Sequence, residues 1–177
     1  MSGVLTIGHS THSIEEFIAL LKGAGATGVI DIRKLPGSRK FPHFDADPLA
    51  ASLESAGLQY AREERLAGLR GSSPDVPRET NGNWRNQSFH RYADYALSAE
   101  FRAGLDRVIA EAEGSATPAL MCAEAVWWRC HRRLVADHLI AREIEVAHVM
   151  PNGRISPASL TPGGVIGDDG VVRYPEQ

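Results

Sequence analysis

Apolar and polar positions along this chain follow two periods, short β-branched runs and stretches with an apolar residue every third or fourth position. Val4-Leu5-Thr6-Ile7 is a short run stopped by Gly8, and His9-Ser10-Thr11-His12-Ser13 leads directly into a helical pattern. That pattern puts Ile14, Phe17, Ile18 and Leu21 on one face, and Ser13 with Glu16 forms a capping box that satisfies two free backbone N–H groups. Gly23 and Gly25 mark its end. Val29-Ile30-Asp31-Ile32 predicts a second strand, nearly all apolar as expected where helices cover both sheet faces, with Arg33 at its end. Pro48 suits the first helical position behind an Asp47 cap, Leu49 and Leu53 share a face, and Gly57 ends the helix. Leu58-Gln59-Tyr60-Ala61 predicts a third strand.

Residues 66–90 are rich in glycine, proline and asparagine and predict a long loop, with Trp84 and Phe89 arguing against disorder. Phe101, Leu105, Val108, Ile109 and Ala112 behind Ser98 form the next helical stripe, and residues 118–122 a buried-type strand. A helix is expected from about Trp127, with Trp127, Cys130, His131, Leu134, Val135 and His138 on its inward face. Residues 146–150 form the last strand before an irregular tail whose one strand candidate is Val171-Val172. The alternation predicts an α/β fold: one domain over residues 1–150, with a mostly parallel central sheet of about five strands flanked by helices. Residues 151–177 are expected to pack on or near it. Ligands of such sheets bind beyond the carboxyl ends of the strands, which gathers His9, Arg33, Cys122 with Glu124, and His148 on one rim.

The 177 residues are 43% hydrophobic and 23% charged, which suits one core and would crowd two. The formal charge of −3 excludes a wholesale basic nucleic-acid coat, so any anion site must be a local cluster. No apolar run approaches the roughly 18 residues of a membrane helix and the first residues lack a secretion signal, so no membrane association and a cytoplasmic location are expected. Two cysteines exclude a disulfide-rich scaffold and a four-thiolate metal site but allow one redox pair.

The densest chemistry is Met121-Cys122-Ala123-Glu124 followed by Trp128-Arg129-Cys130-His131-Arg132-Arg133, a strand end joined to a helix start. Such a junction offers free N–H groups and a positive dipole that favour an anion or a thiolate. Cys122 is the candidate nucleophile or redox centre, with His131 as base or charge partner; the alternative is that both cysteines are small packing residues. Cys122, Glu124, Cys130, His131 and His9 include enough donors for a metal, but Cys130 and His131 would point about 100° apart on a helix, so neither a metal nor another cofactor is assigned. A Cys122–Cys130 disulfide is sterically feasible and nothing in the spacing demands it. Arg33, Lys34, Arg39 and Lys40 make the loop after the second strand cationic, with Ser38 among them, which suits an anionic ligand. Phe41, Phe44, Trp84, Phe89, Tyr92 and Tyr95 could stack a base or fill the core.

Taken together, Thr6-Ile7-Gly8-His9-Ser10, Asp31-Ile32-Arg33, Pro36 with Ser38-Arg39, Phe44, Leu66-Ala67-Gly68-Leu69 and Met121-Cys122-Ala123-Glu124 leading to Cys130-His131-Arg132 resemble the domain-of-unknown-function 488 family. The resemblance spans residues 6–148 and departs from the family at Ala67, where a first of two glycines is usual. It implies a compact α/β domain with its motif residues at one site, and it implies no reaction.

The residues themselves suggest an enzyme for an anionic substrate, phosphate-bearing, nucleotide or nucleic-acid-derived, of the hydrolase or transferase kind. Cys122, Glu124, His131 and His9 are its catalytic candidates, and Ser10, Arg33, Ser38, Arg39, Arg129, Cys130, Arg132, Trp84 and Tyr92 its binding candidates. The alternative is a non-catalytic nucleic-acid or nucleotide-binding module, in which the arginines meet phosphates and Trp84 or Phe89 stacks a base. A third reading makes the polar set a buried scaffold network. Oligomeric state is not legible.

Overall fold

Eight strands and five α-helices emerge in the computed structural model, which describes residues 3–37 and 39–177. In chain order they are β1 (Gly3–Gly8), α1 (Ile14–Gly23), β2 (Gly28–Asp31), α2 (Ala46–Ser55), β3 (Gln59–Arg62), α3 (Gln87–Tyr95), α4 (Ala99–Glu113), β4 (Pro118–Cys122), α5 (Arg132–Ala141) and β5 (Glu145–Val149). Three short strands follow, β6 (Ile155–Pro157), β7 (Val165–Ile166) and β8 (Val172–Arg173). The central sheet runs β3-β2-β4-β1-β5-β6, parallel except for β6, so the fold is α/β.

Successive residues of each buried strand feed opposite layers, as the period of two requires. Leu5, Ile7, Val29 and Met121 pack with Phe17, Leu21, Leu49 and Leu53 of α1 and α2. Val4, Ile30, Leu120 and Val146 pack with Tyr92, Phe101, Leu105 and Leu134 of α3, α4 and α5. Fully burying each aliphatic or Phe side chain contributes about 1.5–3 kcal/mol, so both layers are needed to hold so thin a sheet.

The sequence expectations hold for α1, where Ser13 Oγ accepts from Glu16 N and Glu16 Oε1 accepts from Ser13 N, both at 3.1 Å. Elsewhere boundaries move. Helix α2 starts at Ala46, with Pro48 inside its first turn, where the missing N–H has no partner to lose. Helix α3 begins at Gln87, inside the stretch expected to be loop, because Asn86 Oδ1 caps Phe89 N. Helix α5 begins only at Arg132: residues 127–129 form a single 3-10 turn and Cys130 is extended at φ −125° and ψ 148°. The tail is also more ordered than expected, adding β6 as a sixth strand and burying Tyr174 completely. Among the described residues no helix is long and apolar enough to cross a membrane.

One topological feature fixes the site. β1 continues into α1 beneath one face, whereas its neighbour β4 continues towards α5 on the other. Where adjacent parallel strands send their chains to opposite faces, a crevice opens beyond their carboxyl ends.

Candidate active site

The crevice is walled by two backbone bridges that prolong the β1–β4 pairing: His9 N donates to Cys122 O at 2.9 Å and Ser10 N to Ala123 O at 3.0 Å. Gly8 permits this, since a Cβ there would lie 1.7 Å from Glu124 O. Ser10 takes φ 47°, a left-handed conformation that turns the chain into α1.

Beyond the strand ends lies a cavity of about 430 Å³ lined by Arg33, Lys34, Tyr92, Cys122, Arg129, Cys130 and His131, among others. A second lobe of about 420 Å³ holds His9, Ser10 and Phe41, and the two share Arg33, Leu35, Ala123 and Glu124.

The floor of the first lobe is a pair of thiols. Cys122 and Cys130 Sγ atoms lie 2.7 Å apart. The Arg132 guanidinium, 1% exposed, donates to Cys122 Sγ at 2.6 Å and to Glu124 O at 2.8 Å, and reaches Ala125 O at 3.3 Å. Its backbone N–H, at the start of α5, donates to Cys130 Sγ at 3.4 Å. Burial and the neighbouring Cys130 sulfur push the Cys122 thiol well up. Burial also works against ionising Cys130, but the hydrogen bond with Cys122, the Arg132 charge and the Arg132 N–H outweigh it and bring this thiol down. Of the two thiols, Cys130 is therefore the easier to ionise.

His131 completes the group. Its Nε2 donates to the Ile32 carbonyl at 3.2 Å, which leaves Nδ1 as an acceptor 3.6 Å from Cys130 Sγ. Burial lowers its pKa. Tyr92 packs against this ring at 5.0 Å between centroids and is itself tied to Leu66 O at 2.7 Å. A Cβ on Gly68 would come within 2.9 Å of His131 Nδ1, so the glycine that remains at the Ala67-Gly68 pair preserves the close approach.

The other sequence candidates divide. Arg33 is 6% exposed and gripped by Asp31 through Nε to Oδ1 at 2.9 Å and Nη2 to Oδ2 at 2.8 Å, with Tyr60 Oη donating to the same carboxylate at 2.6 Å. His9 is stacked on Phe44 at 4.4 Å, donates from Nδ1 to Ser10 O at 2.9 Å, and is held below its ordinary pKa by burial. Glu124 and Arg129 stand exposed at the rim of the first lobe, while Arg39 is exposed on the cationic loop and lines neither lobe. Ser38 lies outside the described residues. Trp84 is not brought to the thiols: it packs on Phe89 and Tyr174 and lines a different cavity. Among the described residues no three His, Cys, Asp or Glu side chains converge as a metal ion needs.

Sequence reasoning placed Cys130 on a helix and turned it away from His131; because Cys130 is extended, the adjacent side chains meet instead. It also read Arg132 as a substrate contact, whereas the guanidinium is buried beneath the thiols. Tyr60, which with Asp31 holds Arg33 in place, was not singled out; it reaches the Asp31 carboxylate from the neighbouring strand, a pairing no local pattern states.

Comparison with curated proteins and with solved structures finds no match. A family profile does match residues 13–139, the greater part of the chain and all of the thiol group with it. By that match the chain belongs to the family described as Domain of unknown function DUF488.

Proposed function

We propose that the protein is a thiol-dependent enzyme for an anionic substrate, a phosphate ester, nucleotide or nucleic-acid fragment, bound in the two-lobed crevice. The observation that carries this reading is the His131 ring, whose Nε2 is committed to a backbone carbonyl so that Nδ1 faces Cys130 Sγ at 3.6 Å. A base oriented by a third group beside a nucleophile is the minimal arrangement for covalent catalysis. His131 Nδ1 takes the Cys130 proton, the thiolate attacks the electrophilic centre, and the bond to the leaving group breaks. The protonated ring or Glu124 returns a proton to that group, and water or a second acceptor then releases the substrate fragment from sulfur. Arg129, Lys34 and Arg33 supply positive charge on the substrate side, Asp31 holding the Arg33 fork in place. Cys122 and Arg132 set the charge of the pair.

A panel of phosphate esters, nucleotides and oligonucleotides tests the reading. Cys130→Ala is expected to abolish turnover of whichever is a substrate, and Arg129→Ala to raise KM roughly tenfold, about 1.4 kcal/mol of lost anion binding. Full turnover by both Cys130→Ala and Cys122→Ala removes the thiol role.

A second reading, a nucleic-acid-binding module, draws on a separate cavity of about 410 Å³ lined by Arg78, Arg85, Arg91, His90 and Trp84. The Trp84 indole N–H is buried without a partner among the described residues. This reading requires binding without turnover that weakens steeply with ionic strength across many sequences; salt-insensitive binding counts against it.

A further inference from the structure

The proposed reaction uses one sulfur as nucleophile, but the floor of the crevice holds two. Cys122 closes β4 and Cys130 is an extended residue two positions before α5, and the two sulfurs face each other at 2.7 Å. Both thiols are free, both line the larger lobe, and the Arg132 guanidinium and backbone N–H bracket them. A packing role would favour neutral, apolar surroundings, and a buried Arg aimed at a thiol is costly in such a setting. A single nucleophile would need no partner sulfur in contact.

We infer that Cys122 and Cys130 form a redox-active dithiol that a hydroperoxide entering the crevice converts to an intramolecular disulfide. The Cys130 thiolate attacks one oxygen of the hydroperoxide, the O–O bond breaks, and the departing oxygen leaves as an alcohol or water with a proton from solvent. Cys130 is then a sulfenic acid, oxidised by two electrons. Cys122 Sγ attacks that sulfur, the S–S bond forms, the S–O bond breaks, and the hydroxyl leaves as water with the Cys122 proton. A dithiol reductant restores both thiols by exchange. The disulfide withdraws the nucleophile, so oxidation switches the crevice off.

This inference uses the thiol pair of the proposed reaction but needs none of its anionic substrate, so the two stand or fall separately. The test is the intact mass of the wild-type protein after treatment with stoichiometric hydrogen peroxide, read under denaturing conditions beside a count of reactive thiols. The expected result is a loss of two hydrogens, a fall from two thiols to none, and complete recovery with dithiothreitol. Cys122→Ser is expected to halt at the sulfenic acid, trapped by dimedone. Oxygen added to one sulfur of the wild type while the other thiol stays free, a dimer joined between chains, or two thiols surviving peroxide that oxidises free cysteine would each overturn the inference. Anionic-substrate turnover plays no part in the readout, so its absence leaves this result interpretable.

Discussion

A guanidinium that is 1% exposed and paired with no carboxylate among the described residues is the most demanding residue in the molecule. Arg132 satisfies its donors on a thiol and two carbonyls, and its Nε finds no partner among the described residues. Arg132→Met keeps the volume and removes the charge. Its loss strands the Glu124 and Ala125 carbonyls, and an expected cost of about 3 kcal/mol is measurable by denaturant unfolding. The same variant is expected to move the pH profile of thiol alkylation upward, since the charge that favours the thiolate is gone. Histidines supply a second residue-scale expectation. Burial lowers His148 to about 4 and His138 to about 3, from 6.5. The folded pKa lies below the unfolded one, so the unfolded chain binds protons first. Their stabilising contribution is intact above about pH 6.5 and is lost as pH falls towards 4 and then 3, on the order of 3 kcal/mol for His148 alone by pH 4. Thermal melts across that range check it, and His138→Leu should flatten the slope. Residue types at the site were legible because reactive groups cluster at strand ends; their pairing was not, because it depends on whether Cys130 is helical or extended, which no periodicity states.

At the scale of elements, the junction between β1 and β4 depends on how closely two turns can approach. Gly8→Ala puts a Cβ 1.7 Å from Glu124 O, so the strand ends must separate and the two bridges from His9 and Ser10 lengthen. A loss of at least about 3 kcal/mol is expected, together with loss of thiol reactivity. Gly68→Ala acts differently, because its nearest neighbour is the His131 ring, 2.9 Å away. Melting temperature should hold within a few degrees while the rate of Cys130 alkylation falls, as the base is displaced; an unchanged rate would detach His131 from the thiol. The strands were legible from short β-branched runs, and α1 and α4 from caps and stripes. Helix α3 was hidden because its buried residues, Tyr92, Ala93, Asp94 and Tyr95, are consecutive and draw no stripe, and they include a charged residue that Asn81 satisfies at 2.8 Å. Only the folded chain brings that partner.

For the molecule as a whole, the tail is a structural member. Tyr174 Oη donates to Asp137 Oδ2 at 2.6 Å, Thr161 N to Asp137 Oδ1 at 2.9 Å, and Tyr174 N to Asn81 Oδ1 at 2.9 Å, which ties the tail to α5 and to the segment before α3. Tyr174→Phe is expected to cost about 1–2 kcal/mol, and removal of residues 151–177 to abolish cooperative unfolding, both read by calorimetry. The tail escaped sequence reading because its strands are two or three residues long and its anchor is one aromatic ring. The position of β1 carries one more consequence. It is the first strand in the chain, yet its neighbours are β4 and β5, with Leu5 beside both Ala119 and Ala147. On a ribosome, this apolar strand emerges long before either partner is made. The thiol floor therefore assembles as a late event of biosynthesis, and a nascent chain arrested before residue 118 should display β1 to chaperones and proteases as an unpaired, adhesive edge.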